Sequence, residues 1–357
     1  HAQGPSLLRD AIADALSLTR DRVTVIHAEN AGCYGHNGAD DAAMDAALLA
    51  INVPGTPILL KREREDEQRF EPYSPATVID VATNIDHRRV QYWNADIYSQ
   101  THSGRPFGMQ GASNLIAAWE QAKALPRPIT QPGRGNHSGI HRNADPLYGF
   151  SDRRIVKHLH QDQRIRTSST RGLCAYADVF AIKSAMDELA SMKNVDPVAF
   201  RLKHLADKRA RALLSRCADL AGRHLPKPRD GYETGHGFAF AQYKNRQTYA
   251  ALCVFLQVHE KTLATELDHA VIVADAGRVV DPDGLRNQLE GGFIQSASWS
   301  LREAVTFDRY GTTSTNWDSY PILKFSEIPT VYIDLIDNPK LPPLGAGEAL
   351  HLSLIHI

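Results

Sequence analysis

The 357-residue chain lacks the features that define several large classes of protein. No apolar run reaches the roughly 18–20 residues that a membrane-spanning helix needs. Its 40 basic and 41 acidic side chains give a net charge of -1, so no charge excess indicates binding to nucleic acid or to an anionic membrane. With 43% hydrophobic and 23% charged residues and no internal repeat, the chain is typical of a globular protein.

Cysteine is scarce, and the four cysteines lie far apart in the chain, at positions 33, 174, 217 and 253. No two have the spacing of a zinc or iron–sulfur clip, so we expect free thiols and no cluster in this chain. Sixteen histidines are present without a His-Glu-x-x-His pattern. We therefore predict no dedicated metal ligation by histidine.

The two ends lack the marks of a complete protein. Residue 1 is His1, and no charged segment followed by an apolar one indicates a signal peptide. Residues 352–357 also match the translation of a common sequencing adapter. We expect the chain to be a piece of a longer protein with a non-native tail at 352–357, whereas a genuine stop codon after Ile357 would contradict this.

Hydrophobic periodicity and turn residues predict an α+β fold. Helices are predicted over residues 5–16, 40–51, 178–192, from 196–197 onward, 208–220 and about 283–305. Strands are predicted over residues 23–27, 57–61, 77–85, 89–98, 153–160, about 248–258 and 269–275. The stretch 99–150 is too long for an ordinary connection, so it is either functional or wraps the surface. The Pro-rich residues 223–231 predict a linker between two domains, 1–222 and 232–351.

A first candidate segment, residues 32–41, is rich in glycine and precedes a predicted helix. Its glycines allow positive φ angles and close backbone approach, and the helix N-terminus offers free N–H groups to a phosphate or oxo group. The segment matches neither the P-loop nor the dinucleotide fingerprint. It is a candidate anion site, and an ordinary strand–helix turn is the alternative.

A second segment, residues 167–175, places Arg171 among small residues before an amphipathic helix. A guanidinium in that position can hold an anion through two hydrogen bonds. The alternative is an arginine that donates to loop carbonyls.

A third segment, residues 275–292, passes from a strand through a glycine turn into a helix that carries Gln288 and Glu290. Gly291 and Gly292 interrupt this helix at a cost of about 2 kcal/mol relative to alanine. Either a ligand or a neighbouring helix is expected to pack against their bare backbone.

A fourth segment, residues 342–349, places the single carboxylate of Glu348 in a glycine-rich, otherwise apolar loop. Burial would raise its pKa and make it a candidate general base. An exposed loop glutamate is the alternative.

The order of these segments resembles one known family. The relevant runs are Gly-Cys-Tyr-Gly-His-Asn-Gly-Ala-Asp-Asp (32–41), Arg-Gly-Leu-Cys-Ala-Tyr-Ala-Asp (171–178), Asp-Pro-Val-Ala-Phe-Arg (196–201), Asp-Ala-Gly-Arg-Val-Val-Asp-Pro-Asp-Gly (275–284) with Asn-Gln-Leu-Glu-Gly-Gly (287–292), and Gly-Ala-Gly-Glu-Ala (345–349). From about residue 2 to 349, the chain looks like the molybdopterin-binding large subunit of the xanthine dehydrogenase and aldehyde oxidoreductase family, of the bacterial isoquinoline 1-oxidoreductase and nicotinate dehydrogenase type. The resemblance implies two mixed α/β molybdopterin-binding domains, both incomplete here.

The resemblance also implies roles for particular residues. Glu348 would be the base, Gln3 would lie near the molybdenum, and Arg171 would orient substrate or hold the cofactor. The remaining implied cofactor-binding residues are Gly32, Cys33, Tyr34, Gly35, Gln288, Gly291, Gly292 and Gly347. Gly38 and Leu173 stand where purine-oxidising relatives have a second glutamate and an aromatic residue, which argues against a purine substrate.

The implied activity is that of a molybdenum hydroxylase, which oxidises an N-heterocycle or aldehyde with water as the oxygen donor. The implied cofactor is molybdenum–molybdopterin in its cytosine dinucleotide form. The implied partners are a small [2Fe–2S] subunit and a cytochrome or other electron acceptor. A family cofactor loop and the helix after the base are missing, so we expect this piece alone to be inactive, and its compartment, cytoplasm or periplasm, stays open. The alternatives are a non-catalytic scaffold homologue and an unrelated phosphate-binding protein that uses residues 32–41.

Overall fold

The computed structural model describes residues 2–29, 32–87, 89–107, 110–128, 130, 132–162 and 164–351. The helices are α1 (Pro5–Ala15), α2 (Ala39–Asn52), α3 (Arg64–Phe70), α4 (Ala175–Met192), α5 (Pro197–His204), α6 (Lys208–Ala221) and α7 (Pro282–Leu301). The strands are β1 (Thr77–Asp86), β2 (Arg89–Ser99), β3 (Asp152–Leu159), β4 (Tyr232–Gln242), β5 (Tyr249–His259), β6 (Thr265–Asp275), β7 (Phe307–Asp308), β8 (Gly311–Thr312) and β9 (Thr330–Ile336). Short 3₁₀ turns occupy Arg20–Arg22, Ala112–Asn114, Ile116–Trp119, Gly139–His141, Tyr243–Asn245 and Phe325–Glu327.

The first sheet has the strand order β1-β2-β3. β1 and β2 are antiparallel, whereas β3 runs parallel to β2 after the long 99–150 stretch. Side chains of β1 alternate between half-buried and exposed, which is the pattern of a sheet covered on one face. The covered face packs on α4, and Trp93 and Met186 lie in the shared core.

The second sheet has the order β4-β5-β6-β9, with β6 and β9 parallel. β5 and β6 are nearly continuous buried runs because helices cover both faces. On one face, Leu213 of α6 packs with Val271 in one core cluster. On the other face, Phe293 of α7 packs with Ile272 in a second cluster. Successive residues of β6 thus point into different cores, as the two-residue period of a strand requires.

The structure confirms the α+β class and most of the expected elements, and it contradicts two expected strands. Residues 23–27 and 57–61 form no strand. Ile26 and Leu59 are 84% and 94% exposed. These two apolar runs have no neighbouring strand to pair with, so neither forms a β-ladder. The sequence-based prediction omitted α3, which is entirely polar apart from Phe70, and β4, whose Gly235 and Gly237 are atypical of strands.

The division at residues 223–231 stays a prediction. These residues form no helix or strand and have turns at 223 and at 230–231. Helix α6, which precedes them, packs on β5 and β6, which follow them. The tail predicted at 352–357 lies outside the described residues. Within the part of the chain that is described, every helix is too short or too polar to cross a bilayer.

Candidate active site

A cavity of about 770 Å³ opens where the four candidate segments converge. Eight of the residues expected at a site line it: Gln3, Cys33, Tyr34, Gly35, Arg171, Gln288, Gly347 and Glu348. The structure does not place Gly32, Gly291 or Gly292 in this cavity. The convergence unites residues that are more than 300 positions apart in the chain.

The first two segments pair directly through their backbones. Gly35 forms an antiparallel bridge with Thr170, and the amide of His36 donates to the Ser169 carbonyl at 2.7 Å. Gly35 has a φ of +123°, and a Cβ there would lie 2.5 Å from the Ser169 oxygen. Only glycine fits this approach, which places Cys33 and Tyr34 beside Arg171.

The loop before Glu348 is held by three hydrogen bonds to one carbonyl. Gly347 O accepts from Arg171 Nη2 at 2.7 Å, from Arg171 Nε at 3.2 Å, and from Gln288 Nε2 at 2.9 Å. At the loop's other end, the Gly345 amide donates to Gln247 Oε1 at 3.0 Å. Arg171 therefore donates to a loop carbonyl, which was the alternative interpretation of this residue. Its hydrogen bonds to Gly347 O fix the position of the next residue, Glu348.

Glu348 is half-buried on the cavity wall. Burial lowers the pKa values of Arg171 and Lys244, and the Glu348 carboxylate opposes both shifts. Burial and then Glu348 raise the pKa of the Tyr243 phenol. The carboxylate thus faces two cations and a phenol, and the deep burial considered from the sequence does not occur.

Cations dominate the cavity wall. Among the described lining residues, Arg105, Arg142, Arg171 and Lys244 oppose the one carboxylate of Glu348. Arg142 Nη1 donates to the Tyr243 hydroxyl at 2.6 Å, and Arg105 Nε donates to Ser169 Oγ at 3.0 Å. An excess of fixed positive charge favours an anionic ligand.

Two lining side chains carry buried polar atoms without partners. Both ring nitrogens of His102, which is 4% exposed, and the Nε of Arg142 lack a hydrogen-bond partner among the described residues. Burial, and then the charge of Arg142, lower the pKa of His102 to about 4, so the ring is neutral at pH 7. Since buried polar groups are nearly always paired, a polar ligand would complete this set.

Sequence reasoning missed five prominent lining residues: His102, Arg105, Arg142, Tyr243 and Lys244. The first three lie in the 99–150 stretch, whose unusual length was the only signal. Lys244 has no such signal, because its position depends on a left-handed turn (φ 54°). Its amide donates to Asn143 Oδ1 at 2.8 Å, and that contact brings the turn after β4 to the cavity.

The two helix-interior glycines of α7 have different surroundings. A Cβ on Gly292 would lie 3.0 Å from His351 Cε1, so the segment after Glu348 packs on its bare backbone. A Cβ on Gly291 would meet nothing within 4 Å. Neither glycine lines the cavity. The cofactor-binding role of Gly291 and Gly292 stays a prediction.

No group of three or more His, Cys, Asp or Glu side chains within the described ranges is arranged to hold a metal ion. The cavity instead offers the side-chain amides of Gln3, Gln247 and Gln288 together with cations. A metal bound there would depend on ligands carried by an organic cofactor.

Comparison with known proteins identifies one domain. Residues 166–329 match the model of the molybdopterin cofactor-binding domain. The chain therefore contains a molybdopterin cofactor-binding domain. It is 34% identical over 361 residues to a nicotinate dehydrogenase chain of Pseudomonas putida, and 24% identical over 343 residues to the beta chain of isoquinoline 1-oxidoreductase of Brevundimonas diminuta.

These matches cover 97% and 95% of this chain but only 29% and 41% of the two relatives. The chain therefore spans less than half the length of either relative. Quinoline 2-oxidoreductase from Pseudomonas putida 86 has the same fold, with a TM-score of 0.74 at 11% identity over 99% of this chain and 67% of that one.

Proposed function

We propose that this chain is the molybdopterin-binding part of a catalytic subunit that hydroxylates an N-heterocycle or an aldehyde, with water as the oxygen donor. The observation that carries the proposal is the tethered Glu348 loop on the wall of a cation-lined cavity. Electrons would leave through a small [2Fe–2S] subunit to a cytochrome or another acceptor.

The residues present fit the proposed cofactor. Molybdopterin is anionic and rich in hydrogen-bonding groups, and the cavity supplies cations together with unpaired polar atoms on His102 and Arg142. Arg105, Arg142 and Lys244 would hold its anionic groups, and Gln3, Gly35 and Gln288 would face its polar edges. The cytosine dinucleotide form is the one we propose. When bound, molybdopterin would supply the two-electron oxidation.

The protein's own contribution is to position a general base and the groups that hold it. Glu348 would accept a proton on a carboxylate oxygen from the water-derived nucleophile. Arg171 and Gln288 would keep that oxygen in place through the Gly347 carbonyl, so little reorganisation is needed during the reaction. Neutral His102 would donate or accept a hydrogen bond without adding another charge.

Molybdenum content tests the proposal directly. The full-length protein, co-expressed with its neighbouring genes, should contain about one molybdenum per chain by elemental analysis. Arg142→Gln should reduce that content several-fold, whereas Arg134→Gln, an exposed arginine outside the cavity, should leave it unchanged. A metal-free wild-type protein, purified from molybdate-supplied cells, would contradict the proposal.

A further inference from the structure

A series of hydrogen bonds continues behind the contact between Arg171 and Gly347. Besides its two bonds to Gly347 O, Arg171 donates through Nη1 to Gln295 Oε1 at 2.8 Å. The same Gln295 oxygen lies 3.0 Å from Nε2 of His351. Gln295 belongs to α7, whereas His351 follows Glu348 closely in the chain. The hydrogen bonds therefore begin and end on one segment, and Glu348 lies between their two ends.

The directions of these bonds fix the tautomer of His351. Arginine can only donate, so the Gln295 atom that faces Arg171 is the amide oxygen, and the His351 nitrogen that faces the same oxygen must carry a proton. The other nitrogen, Nδ1, is buried without a hydrogen-bond partner among the described residues. Burial, and then the charge of Arg171, lower the pKa of His351 to about 2. The ring is therefore neutral at pH 7 and donates through Nε2.

Packing holds the His351 ring in place. The residue is 1% exposed, as are its neighbours Ala349 and Leu350. A Cβ on Gly292 would lie 3.0 Å from His351 Cε1, so the ring rests on the bare backbone of α7. The Trp299 ring lies on it as well, with centroids 5.4 Å apart. The imidazole therefore presents its donor to Gln295 from a fixed position.

The Arg171 side chain, in contrast, is not fixed by packing. It borders two cavities, the one that holds Glu348 and a second of about 540 Å³. Because a guanidinium is planar and rigid, a fixed Nη1 also fixes the directions in which Nε and Nη2 donate. The bond to Gln295 therefore decides whether Arg171 meets Gly347 O or turns into one of the cavities.

We propose that Gln295 and His351 are positioning residues, which orient the Arg171 guanidinium so that it holds the Gly347 carbonyl and with it Glu348. The inference rests on the proposed function, because it assigns the residues that keep the base of that reaction in place. Neither Gln295 nor His351 lines the cavity of Glu348. Both therefore act through Arg171 and not on a bound molecule.

Hydrogen–deuterium exchange of the loop tests this arrangement without any cofactor. In the full-length protein from molybdate-starved cells, the amides of residues 345–351 should exchange about tenfold faster in Gln295→Leu than in wild type. Local opening then loses one hydrogen bond to a charged group. Asn287→Leu makes an equivalent amide-to-leucine change at an exposed position of α7 and should leave the loop unchanged. Unaltered loop exchange in Gln295→Leu would overturn the proposal.

Two substitutions of His351 separate its hydrogen bond from its packing. His351→Gln keeps a donor near the position of Nε2, whereas His351→Met fills similar space without one. Loop exchange should stay within about twofold of wild type in His351→Gln and rise about tenfold in His351→Met. Equal acceleration in both variants would assign His351 to packing alone and contradict the proposal. If a His351 variant fails to fold, Gln295→Leu tests the same contact from its half-buried side on α7.

Steady-state kinetics of the molybdenum-loaded enzyme show whether Gln295 acts through Arg171. Gln295→Leu should lower kcat about fivefold with KM nearly unchanged. The double variant Arg171→Met with Gln295→Leu should be no slower than Arg171→Met alone, because substitutions within one hydrogen-bond network are not additive. Independent, multiplying losses would contradict the proposal. A wild-type protein without molybdenum would refute the proposed function, and the exchange measurements would still decide this inference.

Discussion

Arg171 donates two hydrogen bonds to the carbonyl oxygen of Gly347, 176 residues further along the chain, at 2.7 and 3.2 Å. Gln288 adds a third at 2.9 Å. The residue after this carbonyl is Glu348. The contact therefore links a loop at the start of α4, a side chain on α7 and the candidate base into one rigid unit.

Loss of this clamp should impair turnover more than binding. Arg171→Met in the full-length enzyme removes both hydrogen bonds to Gly347 O and the one to Gln295 Oε1, for which we expect kcat to fall about 10- to 100-fold. Gln288→Leu removes one neutral bond and should lower kcat about fivefold. Steady-state kinetics should show KM nearly unchanged, with molybdenum retained. A rise in KM at constant kcat would mean that Arg171 binds substrate instead.

Glu348→Gln should abolish turnover. The amide has the same shape as the carboxylate but cannot accept the proton, and loss of a positioned general base costs about 10²- to 10⁴-fold. Molybdenum content should stay at the wild-type level, because among the described residues Glu348 makes no hydrogen bond or ion pair with Arg105, Arg142 or Lys244, the cations proposed to hold the cofactor. Glu290→Gln, an exposed glutamate of α7, is the control. Retained activity in Glu348→Gln would exclude the residue as the base.

Gly35→Ala should destabilise the protein by about 2–4 kcal/mol. The left-handed backbone costs about 1–2 kcal/mol for alanine, and the new Cβ would lie 2.5 Å from the Ser169 oxygen. Gly55→Ala is a matched control, since its φ is +82° with nothing within 4 Å of a Cβ. Urea unfolding of Gly55→Ala should show a loss of only about 1–2 kcal/mol, the cost of the left-handed backbone. Similar losses in both variants would argue against the close pairing of residues 35 and 170.

His102 should make stability depend on pH. Burial lowers its pKa from 6.5 to about 4 in the folded protein, so between these values the unfolded chain binds more protons. The stability contributed by the neutral ring is complete above pH 6.5 and is lost as the pH falls. His102→Gln should reduce the slope of the free energy of unfolding against pH in that window by about 1.4 kcal/mol per pH unit.

Urea titrations across the same window provide the measurement. His87→Gln is the control for replacing a histidine by glutamine, because the side chain of His87 is 95% exposed. Identical pH dependence in wild type and His102→Gln would show that the ring is not held neutral in the folded state.

Much of the fold was predictable from local pattern. The antiparallel pair β1–β2, the helix after Arg171 and the long helix α7 follow from period-two and period-3.6 spacing, which depends on near neighbours. The predicted strands at 23–27 and 57–61 were wrong because a strand also needs a neighbouring strand to pair with. Leu59, for example, is neither in a strand nor in the hydrophobic core. β4 was missed because its glycines obscure a strand that pairing with β5 stabilises.

The sequence by itself determined which residues are candidates for the chemistry. Three features were recognisable from residue type and order alone. They are a single carboxylate in a glycine-rich loop, a lone arginine among small residues, and glycines that permit close backbone approach. Those properties are local, so Glu348, Arg171 and Gly35 could be selected from the order of residues alone.

Only the tertiary structure decided how these residues meet. It placed Arg171 on the Gly347 carbonyl, and it brought His102 and Arg142 from the 99–150 stretch to the same cavity. The physical reason is that contacts across more than 100 residues depend on how sheets and helices pack. No local periodicity encodes that packing.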